Sequence, residues 1–369
     1  MRLRPFSLAL ASPLRTARAE LTERAGFLVG IGDDGGDDAA PGVDGSSAAG
    51  LETAPATGIG EATPLPGWTE SPSACERALR EAAAEPGGPR TALAGLDAGE
   101  TPAARHGLAL ALDDAAAREV GESLASRLAD RSGLPAPADS VPVNATIGDG
   151  TPEATATASE RAVADGYRCL KVKAGARPLD RDLDRLRAVR RAVGPAVDLR
   201  VDANGAWDRS SARRALERLK PLDPAYVEQP LPATDLAGAT ALRAESDVPI
   251  AVDESLTEHS IAEVLAADAT DVVVIKPMAL GGPDRALDAA VRAREADVEP
   301  VLTTTIDPVV ARTAAVHVAS AVPDVLPCGL ATGGLLDEDL APDPCPVVDG
   351  RMEVPDGPGI AGDAFDGVV

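Results

Sequence analysis

Residues 169–175 read "CLKVKAG". This short apolar run carries two lysines one residue apart. The chain has 369 residues and 35 basic side chains, yet only four lysines: Lys171, Lys173, Lys220 and Lys276. Alternate residues of a strand share a face, so Lys171 and Lys173 point the same way. Comparable apolar runs follow at regular intervals, starting with "VPVNATI" (141–147) and continuing with "VDLRVDAN" (197–204), "AYVEQP" (225–230), "PIAVDES" (249–255), "DVVVIKP" (271–277) and "EPVLTTT" (299–305). A less regular one lies at "VLPCGLATG" (325–333). Helical stretches fill the gaps. In "RDLDRLRAVRRAV" (181–193), Leu183, Leu186 and Val189 or Val193 recur at helical spacing. Continuous apolar strands alternating with amphipathic helices predict a parallel sheet covered by helices. Seven or eight such units in about 190 residues predict a closed (β/α) barrel. A doubly wound open sheet is the alternative, but no GxGxxG or phosphate-binding loop follows any strand.

Upstream of 141, "GFLVGIG" (26–32) and "GIGEATPLPG" (58–67) read as strands. So does the apolar run near the start, where charge returns too early, at Arg15 and Arg18, for a signal peptide. Residues 33–50, "DDGGDDAAPGVDGSSAAG", cannot build a core and read as a flexible acidic insertion. Residues 71–86 and 101–130 are Ala-rich with helical spacing, and "SGLPAPADS" (132–140) reads as a linker or a tight loop. The length suits one large domain and a smaller one.

The formal net charge is −24. Nucleic acid and anionic membranes are therefore poor partners. With so little lysine and only 2% aromatic residues, the charge reads as a halophilic surface. At molar salt the Debye length is about 3 Å and self-repulsion is screened. Cys75, Cys169, Cys328 and Cys345 show no metal or disulfide spacing, and His106, His259 and His317 form no ligand pattern with them. Of these, Cys328 and His317 read as buried structure, and His106 and His259 as helix-end residues. No apolar run reaches the roughly 18 residues of a membrane span. We expect a cytoplasmic protein.

Charge at the strand ends carries the chemistry. Lys171 and Lys173 are followed by Asp202, Glu228, Asp253 and Lys276, each about one strand-helix unit after the last. This delivers them to the C-terminal rim, where barrel active sites form. Singly, Asp202 and Asp253 could be helix N-caps, Glu228 an ion-pair partner and Lys171 a rim residue. Together, three carboxylates from consecutive strands repel each other unless a cation joins them. An oxygen-only donor set favours Mg²⁺, with Mn²⁺ an acceptable substitute. A lysine beside another cation is disfavoured in its charged form, which brings it towards the range of about 7–8 that suits a general base. An aldolase-type Schiff-base lysine would leave the three carboxylates unexplained, and a non-catalytic binding barrel would leave all six residues so.

These motifs (KxK, DAN, EQP, DES and a later lysine) resemble the enolase superfamily, in its muconate-lactonising branch. The resemblance implies a modified (β/α)₇β TIM-type barrel under an N-terminal α+β capping domain. Residues 1–105 would be the cap, 106–330 the barrel, and 331–369 a segment returning to the cap. It implies Asp202, Glu228 and Asp253 as Mg²⁺ ligands, and Lys173, Lys276 and Lys171 as catalytic. Within the branch, "GIGEATPLPGWTES" (58–71), "VPVNATI" and "VLPCGLATGGLLDEDL" (325–340) are similar to o-succinylbenzoate synthases. That likeness implies a lyase of menaquinone biosynthesis acting on a small-molecule carboxylate, and is compatible with a homo-oligomer. Thr303, Thr304 and Gly329 would then contact substrate, with "TTT" (303–305) standing where a Ser-Ser pair is expected. "PLRTARAELTERAG" (13–26) would close over it. A dipeptide or N-acylamino acid epimerase is the second reading, with both lysines transferring protons.

Overall fold

The structure, a computed structural model, describes residues 1–15, 20–32 and 57–369. The insertion expected at 33–50 lies outside these residues, as does part of the loop at 13–26.

The N-terminal sheet holds β1 (Arg2–Arg15), β2 (Glu20–Ile31) and β3 (Gly58–Ala62), antiparallel throughout. Helices α1 (Pro72–Ala83), α2 (Gly88–Gly95), α3 (Pro102–Val120) and α4 (Leu124–Arg131) follow. Ser71 caps α1 by accepting from the Ala74 amide, with Pro72 in the first turn. Helix α3 packs directly on β3. A Cβ at Gly60 would lie 1.9 Å from the Gly107 carbonyl oxygen, so only glycine permits this approach. The expected division at 105/106 falls inside α3, which runs unbroken across it. The helix is one rigid body bound to β3, so we propose a division at residues 132–139 instead.

Strand β4 (Ser140–Pro142) leads into the barrel. Its strands are β5 (Ala145–Ile147), β6 (Cys169–Lys173), β7 (Asp198–Asp202), β8 (Tyr226–Glu228), β9 (Ile250–Val252), β10 (Val272–Ile275) and β11 (Glu299–Leu302). They alternate with α5 (Pro152–Ala164), α6 (Leu179–Val193), α7 (Arg209–Leu219), α8 (Leu236–Glu245), α9 (Ile261–Ala266), the pair α10 (Pro277–Leu280) and α11 (Pro283–Glu295), and α12 (Val309–Ala321). All seven strands are parallel and adjacent in chain order. The ring closes through residues 328–329, which bridge Val143 on one side and Thr303 on the other. This (β/α)₇β barrel excludes the doubly wound alternative. Strands β8, β9 and β10 are wholly buried, which is why β9 and β10 are unbroken apolar runs and β8 is apolar up to Glu228.

The last residues tie the molecule together. β12 (Val347–Val348) and β13 (Arg351–Glu353) form a small antiparallel sheet with β4. Leu336 bridges Leu10, and the Leu124 amide donates to the Gly359 carbonyl. Among the described residues, no helix is long and apolar enough to cross a membrane.

Candidate active site

The six charged residues stand at the C-terminal ends of β6 to β10. Lys171 and Lys173 lie on β6, with Asp202 and Glu228 ending β7 and β8. Asp253 follows β9 and Lys276 follows β10. With the closing segment counted, the ring has eight places, and β6 and β10 are four apart. Lys173 and Lys276 therefore approach from opposite sides of the mouth. The Lys171 ammonium lies between two carboxylates, 2.9 Å from Asp202 and 2.7 Å from Glu228. Lys173 donates to Asp202 at 2.7 Å and to the Asn204 side-chain oxygen at 3.0 Å. Lys276 pairs with Asp253 and sits 3.5 Å from the centre of the Trp68 ring. Lys220, by contrast, is an exposed residue paired with Asp247. Asp253 occupies the N-cap position of the 3₁₀ turn that follows it, but its side chain makes no capping bond. Asp202 does hold the local turn, accepting from the Asn204 amide at 3.0 Å.

Three buried carboxylates create a charge problem that the lysines offset. Burial pushes Glu228 upward, and the Asp202 charge adds to it. Burial likewise raises Asp253, against the pull of Lys276. Burial would raise Asp202 too, but Lys171 and Lys173 outweigh it and hold it well below the usual range. Burial alone would lower Lys171, yet Asp202 and Glu228 raise it well above the ordinary lysine value. At Lys171, two adjacent carboxylates outweigh one neighbouring ammonium.

The donor set is oxygen-only and suits a hard divalent ion. Among the described residues, no three acidic, histidine or cysteine side chains are gathered as they stand into a metal-holding group. Between Asp202 and Glu228, the Lys171 ammonium supplies the positive charge such an ion would bring. In donor chemistry the site fits Mg²⁺.

Several contributors lie inside the quoted stretches, where the sequence pattern gives them no role. The Gln229 side chain accepts from the amides of Asp253 (2.9 Å) and Ser255 (3.0 Å) and donates to the Leu231 carbonyl (2.8 Å). It thereby sets Asp253 relative to Glu228. Gln229 and Asn204 both have positive φ, 40° and 45°. They stand one residue after Glu228 and two after Asp202, and backbone in this region clusters at sites. Arg200, two residues before Asp202, is buried in the barrel and donates to the Pro327 carbonyl (2.5 Å) and Asn144 (3.4 Å). Trp68 comes from the N-terminal domain and, with Leu256, Thr257, Ala279 and Leu280, walls a small cleft beside Lys276.

The predicted substrate contacts are engaged within the protein. Thr303 donates to the Gly329 carbonyl at 2.8 Å, closing the ring. The Thr304 hydroxyl meets that of Thr332 at 3.0 Å. A Cβ on Gly329 would fall 2.5 Å from the Thr303 hydroxyl. Cys75, Cys169, Cys328 and Cys345 are buried free thiols. His317 is buried, as is His106, which sits inside α3 and not at a helix end, with Nδ1 against the Glu61 carbonyl at 2.8 Å.

A family model described as enolase C-terminal domain-like matches residues 153–363. The chain belongs to that family. This enolase-superfamily chain is 39% identical over 227 residues to an o-succinylbenzoate synthase of Thermobifida fusca, covering 60% of this chain and 69% of that one. Its fold is similar to that of the L-Ala-D/L-Glu epimerase of Bacillus subtilis, solved in a substrate-liganded complex. There the TM-score is 0.82 and the identity 26%, over 98% of this chain and 97% of that one. A dipeptide epimerase of Enterococcus faecalis, complexed with Mg and the dipeptide L-Leu-L-Tyr, matches in fold at TM-score 0.81 and 22% identity, over 98% of each chain.

Proposed function

We propose that this chain is an o-succinylbenzoate synthase, a cytoplasmic lyase of menaquinone biosynthesis. It would catalyse syn dehydration of 2-succinyl-6-hydroxy-2,4-cyclohexadiene-1-carboxylate. The observation that carries this reading is the 39% identity to a synthase over 227 residues. Asp202, Glu228 and Asp253 would hold Mg²⁺, which when bound supplies positive charge for the substrate carboxylate. Lys173 takes the proton α to that carboxylate. Lys276, opposite, faces the resulting enediolate as a fixed cation. Lys173 then returns its proton to the departing hydroxide. Water leaves, the ring becomes aromatic, and Lys173 is again free of the extra proton. One base thus serves both steps of a syn elimination, while Lys171 supports Asp202 and Glu228.

The second reading, a dipeptide or N-acylamino acid epimerase, is favoured by the fold match to the Bacillus enzyme and by lysines on opposite sides of the mouth. The deciding experiment is turnover of the dehydration substrate with Mg²⁺, beside a panel of dipeptides and N-acylamino acids in heavy water. The synthase reading expects an aromatic product that vanishes in excess chelator. It also expects Lys173→Ala to lose both dehydration and α-proton exchange. Rapid interconversion of enantiomers with the dehydration substrate untouched assigns the protein to the epimerases instead.

We also read the charge of −24 as adaptation to molar salt. A folded state no more stable in molar KCl than in dilute buffer would contradict this.

A further inference from the structure

The loop at residues 63–70 is pinned at both ends. At its start the buried Arg24 guanidinium donates to the carbonyls of Thr63 (2.8 Å) and Pro64 (3.0 Å), and to that of Ile306 (3.2 Å) across in the barrel. At its end the Glu70 carboxylate accepts from the amides of Ala103 (3.0 Å) and Ala104 (2.8 Å), in the first turn of α3. Between them the chain turns tightly. The amides of Trp68 and Thr69 both donate to the Leu65 carbonyl at 2.9 Å, and the Thr69 hydroxyl accepts from the Leu65 amide at 2.8 Å. The loop therefore presents Trp68 as a fixed group. Its ring face lies 3.5 Å from the Lys276 ammonium.

Lys276 has two partners in the structure, Asp253 and the indole. If Asp253 turns to a divalent ion, the carboxylate contact weakens and the indole remains. An aromatic face attracts a desolvated ammonium without neutralising it and offers no proton acceptor. We propose that Trp68 is a positioning residue that holds Lys276 in place as a cation at the mouth of the barrel. The inference rests on the reading that Lys276 acts beside the substrate. It gives the N-terminal domain a specific part in the site built by the barrel.

The scarcity of lysine makes the contact directly observable. With four lysines in the chain, each ε-methylene of ¹³C-lysine-labelled protein gives its own NMR signal, and Lys276→Met assigns one of them. The Lys276 signal should be shifted to low frequency by the indole ring current. Trp68→Leu should return it to the ordinary position, and Trp68→Phe should keep part of the shift. In turnover, Trp68→Leu should lower kcat about tenfold with little change in KM, and Trp68→Phe should recover most of the loss. Unchanged Lys171 and Lys173 signals report an intact fold in each variant. The proposal is overturned if no lysine signal is displaced in the wild type, if the displaced signal ignores Trp68→Leu, or if Trp68→Leu turns over like wild type. Wild type inert on the dehydration substrate overturns the synthase reading, and the NMR result then decides the contact by itself.

Discussion

At the scale of single residues, the site is a set of buried charges that hold each other in register. Asp253 is the outermost carboxylate and shares its charge with Lys276. Asp253→Asn keeps the shape but removes a donor charge, so Mg²⁺ binding measured by calorimetry should weaken by more than about tenfold, with turnover collapsing alongside it. Gln229→Leu should act differently, because it leaves the amides of Asp253 and Ser255 without partners. Unmade buried hydrogen bonds cost about 1–3 kcal/mol each, so the urea midpoint should fall and metal binding should weaken with it. A Gln229→Leu variant with wild-type stability and metal affinity would show that Asp253 is positioned by something else. The charged residues were legible in the sequence because they stand where apolar runs end and because lysine is otherwise so rare. Gln229, Arg200 and Trp68 stand in the quoted stretches, but their roles were not legible. Their roles consist of bonds to backbone groups or a ring face brought from another domain, and neither leaves a period or a spacing to read.

At the scale of elements, the barrel strands were readable because most of their residues are buried and apolar, with charge confined to a few positions. The closing segment at 328–329 was harder, since it joins the ring by single bridges and never becomes a regular strand. The expected division at 105/106 falls within α3, which is buried nearly all round and carries no boundary signal there. Helix α12 shows how such buried helices are tied down. His317 accepts from the Ala125 amide in α4 through Nδ1 and donates to the Ile360 carbonyl through Nε2. The acceptor bond at Nδ1 requires neutral imidazole, and burial lowers its pKa to about 4 against the pull of the Ile360 carbonyl. An unfolded histidine titrates near 6.5. The neutral form is therefore favoured by folding, and its contribution is fully present above about 6.5. It is lost as pH falls from there through about 4, to the extent of roughly 3 kcal/mol. His317→Asn should flatten that part of the stability curve. A wild-type and variant pair whose denaturation midpoints run parallel between pH 7 and 4 would refute the assignment.

At the scale of the whole molecule, Arg24 is the residue to test. Its three carbonyl partners lie in both domains, and one of them belongs to Ile306, a β-branched residue held at φ 63°. Arg24→Met should release this loop of the barrel together with the segment that carries Trp68. We expect protease nicking near residues 63–70 at concentrations that spare wild type, and a loss of kcat/KM out of proportion to the loss of barrel stability. Unaltered cleavage would mean that the two domains are joined elsewhere. The closing of the ring by residues 328–329, and the pairing of β4 with β13, have a consequence for how the chain is made. Synthesis proceeds from the N-terminus, so seven barrel strands emerge from the ribosome before the residues that seal them. Until about residue 329 is out, the nascent barrel must wait as an open sheet with two unpaired edges, and β4 has no β13 to pair with until about residue 353. A ribosome-stalled chain ending at residue 320 should therefore bind trigger-type chaperones strongly, whereas one with the complete C-terminal segment free of the exit tunnel should let them go.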